Sequence, residues 1–120
     1  MFARYAVFYT PIGALADFGA AWLGWDSAQG RAMPHLAVVG IDVAMITATP
    51  EIYGLHGTLK APFTLARSGD PVHLQQAVSD FAHEHATFDI GEMELRRDCD
   101  SVALRPAIGS AASTVQFFHL

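Results

Sequence analysis

Apolar positions along this chain repeat with a period of two in some stretches and near 3.6 in others, and the change of period marks out the elements. Residues 4–9 are rich in aromatic and β-branched types and end at Thr10-Pro11. They predict a strand, with Tyr5, Val7 and Tyr9 on one face and Arg4, Ala6 and Phe8 on the other. Over 13–25, Leu15, Phe18, Trp22 and Trp25 fall at helical spacing in an alanine-rich segment, which Gly13, Gly19 and Gly24 weaken as a helix. Residues 26–34 read as a loop. The run 36–47 is nearly all apolar around Gly40 and Asp42; it fits a buried strand or a short helix starting after Asp42. Residues 53–60 predict a strand, stopped by Pro62 and resuming over 63–66.

Residues 71–86 give the clearest helix. Asp70 is placed as its N-cap, Pro71 takes the first helical position, and Leu74, Ala77, Val78 and Phe81 form one stripe. Residues 87–97 and 101–105 predict a hairpin around Asp98-Cys99-Asp100, with a bulge at Gly91 where the apolar phase shifts. Residues 107–120 lean helical through Ile108, Ala112, Val115 and Phe118. The order is strand, helix, undecided segment, strand, helix, hairpin, helix. It predicts an α/β (α+β) chain, a mixed sheet with helices packed on it, as a single domain over 1–120.

Composition narrows the classes. At 52% hydrophobic and 16% charged residues the chain is too apolar for disorder, and it has enough apolar surface for a large core or a partner-facing patch. Arg4, Asp17, Asp26, Arg31 and Asp42 interrupt the N-terminal half before any membrane-span length is reached. The first residues lack a signal-peptide pattern, so a cytoplasmic protein is expected. A single cysteine, Cys99, excludes a disulfide within the chain, and its flanking carboxylates argue against a reactive thiolate. Seven scattered basic residues against twelve acidic ones, net −5, give no footprint for duplex nucleic acid but leave room for a local phosphate pocket.

The stretch Tyr53-Gly54-Leu55-His56-Gly57-Thr58-Leu59-Lys60-Ala61-Pro62-Phe63 carries the candidate chemistry. On a strand, His56, Thr58 and Lys60 would project from one face in a row. An imidazole to move a proton, a hydroxyl to donate to a phosphate oxygen and an ammonium to offset charge suit a phosphate ester. Elsewhere, His83 and His85 point about 200° apart on a helix and so predict no shared metal. His35 reads as a solvated loop residue without a role. Trp22 and Trp25 read as core or interface, and only one of Arg96 and Arg97 could face a cleft.

Tyr53 to Phe63 resembles the first His-x-Thr motif of the two-histidine phosphoesterase superfamily. It is closest to a bacterial family of phosphonate-metabolism proteins within it, with Leu55 where that family has an aromatic residue. Arg4-Tyr5-Ala6-Val7, residues 18–24 and Ala103-Leu104-Arg105-Pro106 resemble other segments of the same family. The resemblance implies a metal-independent phosphoric ester hydrolase of cyclic phosphodiesterase type, without a cofactor. His56 would be the proton-transfer residue and Thr58 the phosphate ligand, with Lys60, Tyr53 and Arg4 as substrate contacts. It also implies two lobes with one motif each, of which this chain resembles the first and the start of the second. His119 has no hydroxyl residue two places later, so only one motif is present. A homodimer bringing two copies of His56 together is therefore expected to restore the pair. The alternative is a non-catalytic module that binds a small phosphorylated ligand or a partner, or an inactive relative.

Overall fold

The computed structural model describes residues 3–107 and 118–119. Its strands are β1 (Arg4–Tyr9), β2 (Trp25–Asp26), β3 (Arg31–Ala32), β4 (Gly57–Thr64), β5 (Met93–Asp98), β6 (Ser101–Pro106) and β7 (Phe118–His119). Its helices are α1 (Ala14–Leu23), α2 (Val43–Glu51) and α3 (Pro71–Glu84). The α+β class stands, but the described strands do not make one mixed sheet. They form three small sheets, β1-β4, β2-β3 and β5-β6-β7, every pairing antiparallel.

α1 starts at Gly13 without a side-chain cap and stops at Gly24, which is left-handed at φ 74° and returns its N–H to the Ala20 carbonyl. Trp25 therefore leaves the helical stripe and opens the β2-β3 hairpin inside the expected 26–34 loop. The Asp26 carboxylate accepts from the Ala28 and Gln29 N–H groups to hold its turn. The undecided 36–47 run resolves as a helix after Asp42, whose Oδ1 accepts from the Met45 N–H at 3.1 Å. Removing that cap as Asp42→Ala is expected to cost about 1 kcal/mol, read as a lower urea midpoint at unchanged m-value.

His35 is not a free loop residue. The Thr47 hydroxyl donates to the Val43 carbonyl at 2.7 Å, so at 3.4 Å His35 Nε2–H is the donor to Thr47 Oγ1. The imidazole lies so close over Gly24 that a Cβ there would meet its Cε1 at 2.3 Å. Met33 and Leu36 also donate to the Gly24 and Ala21 carbonyls, so the 33–36 segment wraps the end of α1 and ties α2 to it.

The core is small. Leu23 at 0% and Leu55 at 5% exposure are its centre, with Trp22, Ile90, Met93 and Leu104 against them. Gly19 permits the close approach of α1 to Leu55, since a Cβ there would sit 2.5 Å from Leu55 Cδ2.

The β5-β6 hairpin turns at Cys99 and Asp100 as expected, with Cys99 at φ 50°. Its first strand starts at Met93, and Gly91 lies before it in a turn where its N–H donates to Asp89 Oδ1. The expected helix over 107–120 lies outside the described residues, save Ala107 in no regular element and Phe118–His119, which pair with β6 as a strand. Among the described residues no helix is long and apolar enough to cross a membrane.

Candidate functional site

β4 begins at Gly57, so Tyr53 and Leu55 belong to the turn that follows α2, not to a strand. Gly54, left-handed at φ 68°, makes that turn possible, and the β2-β3 turn packs on it with Ser27 where a Cβ would stand. From the turn, His56 reaches into an open cleft of about 1260 Å³ that Phe8, Phe18, Trp22, Tyr53 and Thr58 also line. Leu95, Val102 and Leu104 of the hairpin line it as well, with Asp100 and Ser101. The helical period of Leu15, Phe18 and Trp22 thus sets one wall.

His56 Nδ1 lies 2.9 Å from the Gly54 carbonyl oxygen. A carbonyl only accepts, so Nδ1 carries the hydrogen, and Nε2 is left for a ligand. The Phe8 ring packs against the imidazole at 3.9 Å between centroids, and Tyr53 stands 6.2 Å away. These contacts fix the ring on three sides without occupying Nε2.

The expected row His56, Thr58, Lys60 does not form. β1 opposes β4 with Phe8 at Thr58 but Val7 at Lys60, which leaves Leu59 as an extra residue. Such a bulge reverses the alternation. Thr58 shares a face with Phe8 and lines the cleft; Lys60 shares the opposite face with Val7. There its Nζ lies 4.9 Å from the Phe63 ring centroid, outside the cleft lining. A second shift makes Ala61 and Pro62 stand together against Ala6, so Pro62 continues the strand at a point that asks no ladder N–H of it. Arg4 pairs with Thr64 at the far end of the sheet, exposed and away from the lining. The structure therefore brings together His56, Thr58 and Tyr53, and separates Lys60 and Arg4 from them.

Two contributors were missed in the sequence. Trp22 lies parallel to Phe18, centroids 6.2 Å apart at 11°, and lines the cleft while its Nε1–H is shut from solvent with no partner among the described residues. Its helical spacing placed it on the right face but gave no sign that the face borders a cleft. The Gly54 carbonyl, which sets the His56 tautomer, leaves no trace in side-chain patterns at all. His83 and His85 each donate Nδ1–H to the carbonyl four residues earlier, at 2.7 Å in both cases.

An α+β chain with a His-Thr pair on an aromatic-walled cleft is the class that the fold and site define. The chain belongs to the family described as "Protein of unknown function (DUF1045)", whose profile matches residues 58–117. Two curated relatives carry the name ribose 1,5-bisphosphate phosphokinase PhnN. That of Janthinobacterium sp. (strain Marseille) is 32% identical over 107 residues, 85% of this chain and 24% of the relative. That of Laribacter hongkongensis (strain HLHK9) is 33% identical over 89 residues, 72% and 22% respectively. The chain thus spans about a quarter of the length of the curated relatives it matches. No solved structure matches it.

These names correct the sequence-based expectation of function. A phosphokinase transfers a phosphoryl group to an acceptor, whereas the expected hydrolase or cyclic phosphodiesterase would release an ester bond to water. The relatives are named for the first chemistry, so the hydrolase reading falls.

Proposed function

We propose that this chain holds a phosphorylated sugar for a protein that acts on ribose 1,5-bisphosphate, and that it does not itself transfer the phosphoryl group. The observation that carries the reading is the placement of His56 and Thr58 together on an aromatic-walled cleft. His56 Nε2, with Nδ1 already spent on Gly54, accepts from a sugar hydroxyl. The Thr58 hydroxyl donates to a phosphate oxygen. The Phe18 and Trp22 side chains offer the sugar ring a flat apolar wall, and the names of the relatives support a ribose phosphate as the ligand.

The chain's own residues argue against transfer. Nucleotide-dependent phosphoryl transfer needs cations around the migrating group. The sequence holds one lysine, Lys60, which faces away from the cleft, and no glycine-rich loop ending in Gly-Lys-Ser or Gly-Lys-Thr. No arginine is among the described residues that line the cleft. The likeness to the two-histidine superfamily enters this reading only through the motif as a ligand-holding element, and the link to phosphonate metabolism belongs to the same proposal.

A melting experiment tests it. Ribose 1,5-bisphosphate is expected to raise the Tm of the wild-type chain in a saturable way, and ATP is not. Thr58→Val, which keeps the shape and removes the hydroxyl, is expected to lose at least half of the rise. A shift with ATP but none with ribose 1,5-bisphosphate would overturn the proposal.

A further inference from the structure

The β5-β6 hairpin leaves one carboxylate over, and that one lines the cleft. The hairpin carries three carboxylates and three arginines. Arg96 pairs with Glu94 and Arg105 with Asp98, while Arg97 Nε–H donates to the Cys99 carbonyl at 3.3 Å. The Asp100 side chain makes no hydrogen bond or ion pair among the described residues. It is also the one carboxylate among the described residues that line the cleft, where no lysine or arginine offsets it.

A side chain so placed pairs with only one kind of group. A carboxylate accepts hydrogen bonds and donates none, so it repels a phosphate and takes a hydroxyl. Ribose 1,5-bisphosphate presents both, as two phosphates and two neighbouring ring hydroxyls. With one hydroxyl on His56 Nε2 and a phosphate oxygen on Thr58, the second hydroxyl still needs an acceptor. A hydroxyl taken out of water without one weakens binding. Two other hydroxyl side chains on the lining have their hydrogens engaged. Thr47 donates to the Val43 carbonyl and accepts from His35, and Ser101 donates to the Asp98 carbonyl at 3.1 Å. Asp100 has all of its accepting capacity free.

We infer, resting on the phosphosugar reading, that Asp100 is a specificity-determining residue of the cleft and accepts from the ring hydroxyl that His56 does not take. The ligand class is then a phosphorylated sugar with two neighbouring free hydroxyls. A sugar that lacks the hydroxyl at Asp100, or carries a phosphate there, is rejected. The same charge orients the ligand, since its phosphates lie away from the hairpin turn.

Calorimetric titration of ribose 1,5-bisphosphate and of its 2-deoxy and 3-deoxy analogues tests it, with the wild-type chain and with Asp100→Ala. The wild type is expected to bind each analogue roughly tenfold or more weakly than the ribose compound, because a site that bonds a hydroxyl rejects the ligand lacking it. In Asp100→Ala one of the two differences is expected to vanish, and the other, which belongs to His56, to persist. The analogue whose difference vanishes is expected to bind Asp100→Ala more tightly than the wild type, since only the repulsion of its phosphates has been removed. Damage to the fold would not produce that gain. Wild-type binding of ribose 1,5-bisphosphate with both differences kept in Asp100→Ala would overturn the inference and leave the phosphosugar reading standing. A wild type that binds all three compounds equally would do the same, whereas a wild type that binds none of them would overturn both. If Asp100→Ala unfolds, Asp100→Asn takes its place, and two unchanged differences in that variant overturn the inference instead.

Discussion

Leu23→Ala is expected to destabilise the protein by about 3 kcal/mol, because it removes three buried carbons, one methine and two methyl groups, and leaves a cavity in their place. Leu23 is fully buried and touches the other core leucine, Leu55, while Trp22, Ile90, Met93 and Leu104 surround the pair. For a chain of this size the loss corresponds to a fall in Tm of about 10 °C. The effect is large relative to the whole, since so few of the described side chains are buried. A calorimetric scan checks it; a shift under about 3 °C, or less than roughly 1 kcal/mol on the same scaling, would show that Leu23 is not the centre of the core. The substitution is also expected to weaken ligand binding, as Trp22 next to it lines the cleft.

Gly54→Val is expected to be comparably harmful, for a different reason. Gly54 has φ 68°, a conformation that a β-branched residue adopts only at a cost of about 1–2 kcal/mol. Its new Cβ would also stand 2.8 Å from the Ser27 Cβ, which forces the β2-β3 turn away. Overpacking of that kind adds about 1–3 kcal/mol. The carbonyl of the same residue holds His56 Nδ1, so the variant is expected to lose both stability and a fixed His56 orientation. Denaturant unfolding gives the first. The second shows in the imidazole proton and nitrogen NMR signals, where the Nδ1–H tautomer is expected in the wild type and a mixture in the variant. An unchanged tautomer in a destabilised variant would separate the fold from the site.

The sequence spoke clearly where local chemistry decided the outcome. The Asp70-Pro71 start of α3 forms as written, with the carboxylate accepting from the Val72 and His73 N–H groups. Asp42 offered the same signal, and it settled the apolar run in favour of a helix. The strand at 4–9 and the turn at Cys99-Asp100 were equally local. What could not be read was the pairing of distant segments. The bulge at Leu59 is created by how β1 lies against β4, and no property of residues 56–60 announces it. That one extra residue turns Lys60 out of the row predicted for it and leaves the cleft without a lysine. His35 was misjudged for a related reason: its partners, Gly24 and Thr47, lie 11 and 12 positions away and meet it only after α1 and α2 have packed.

His56 and Thr58 were legible as a pair because they stand two positions apart, the repeat of a strand, and the structure places both on the cleft although His56 precedes β4. Their chemistry was not legible. An imidazole beside a hydroxyl suits hydrolysis, proton transfer or simple recognition equally well by geometry alone. The relatives are named as phosphokinases, and no lysine or arginine is among the described residues that line the cleft, which is why the proposal takes the pair for recognition.

The most direct measurement is a calorimetric titration of ribose 1,5-bisphosphate into the wild-type chain and into His56→Ala. The expected result is one ligand per chain in the wild type and at least tenfold weaker binding in the variant, the loss of about 1.4 kcal/mol that one hydrogen bond to the ligand contributes. Wild-type binding that His56→Ala leaves unchanged, or no binding by the wild type, would contradict the assignment of the cleft as a phosphosugar site.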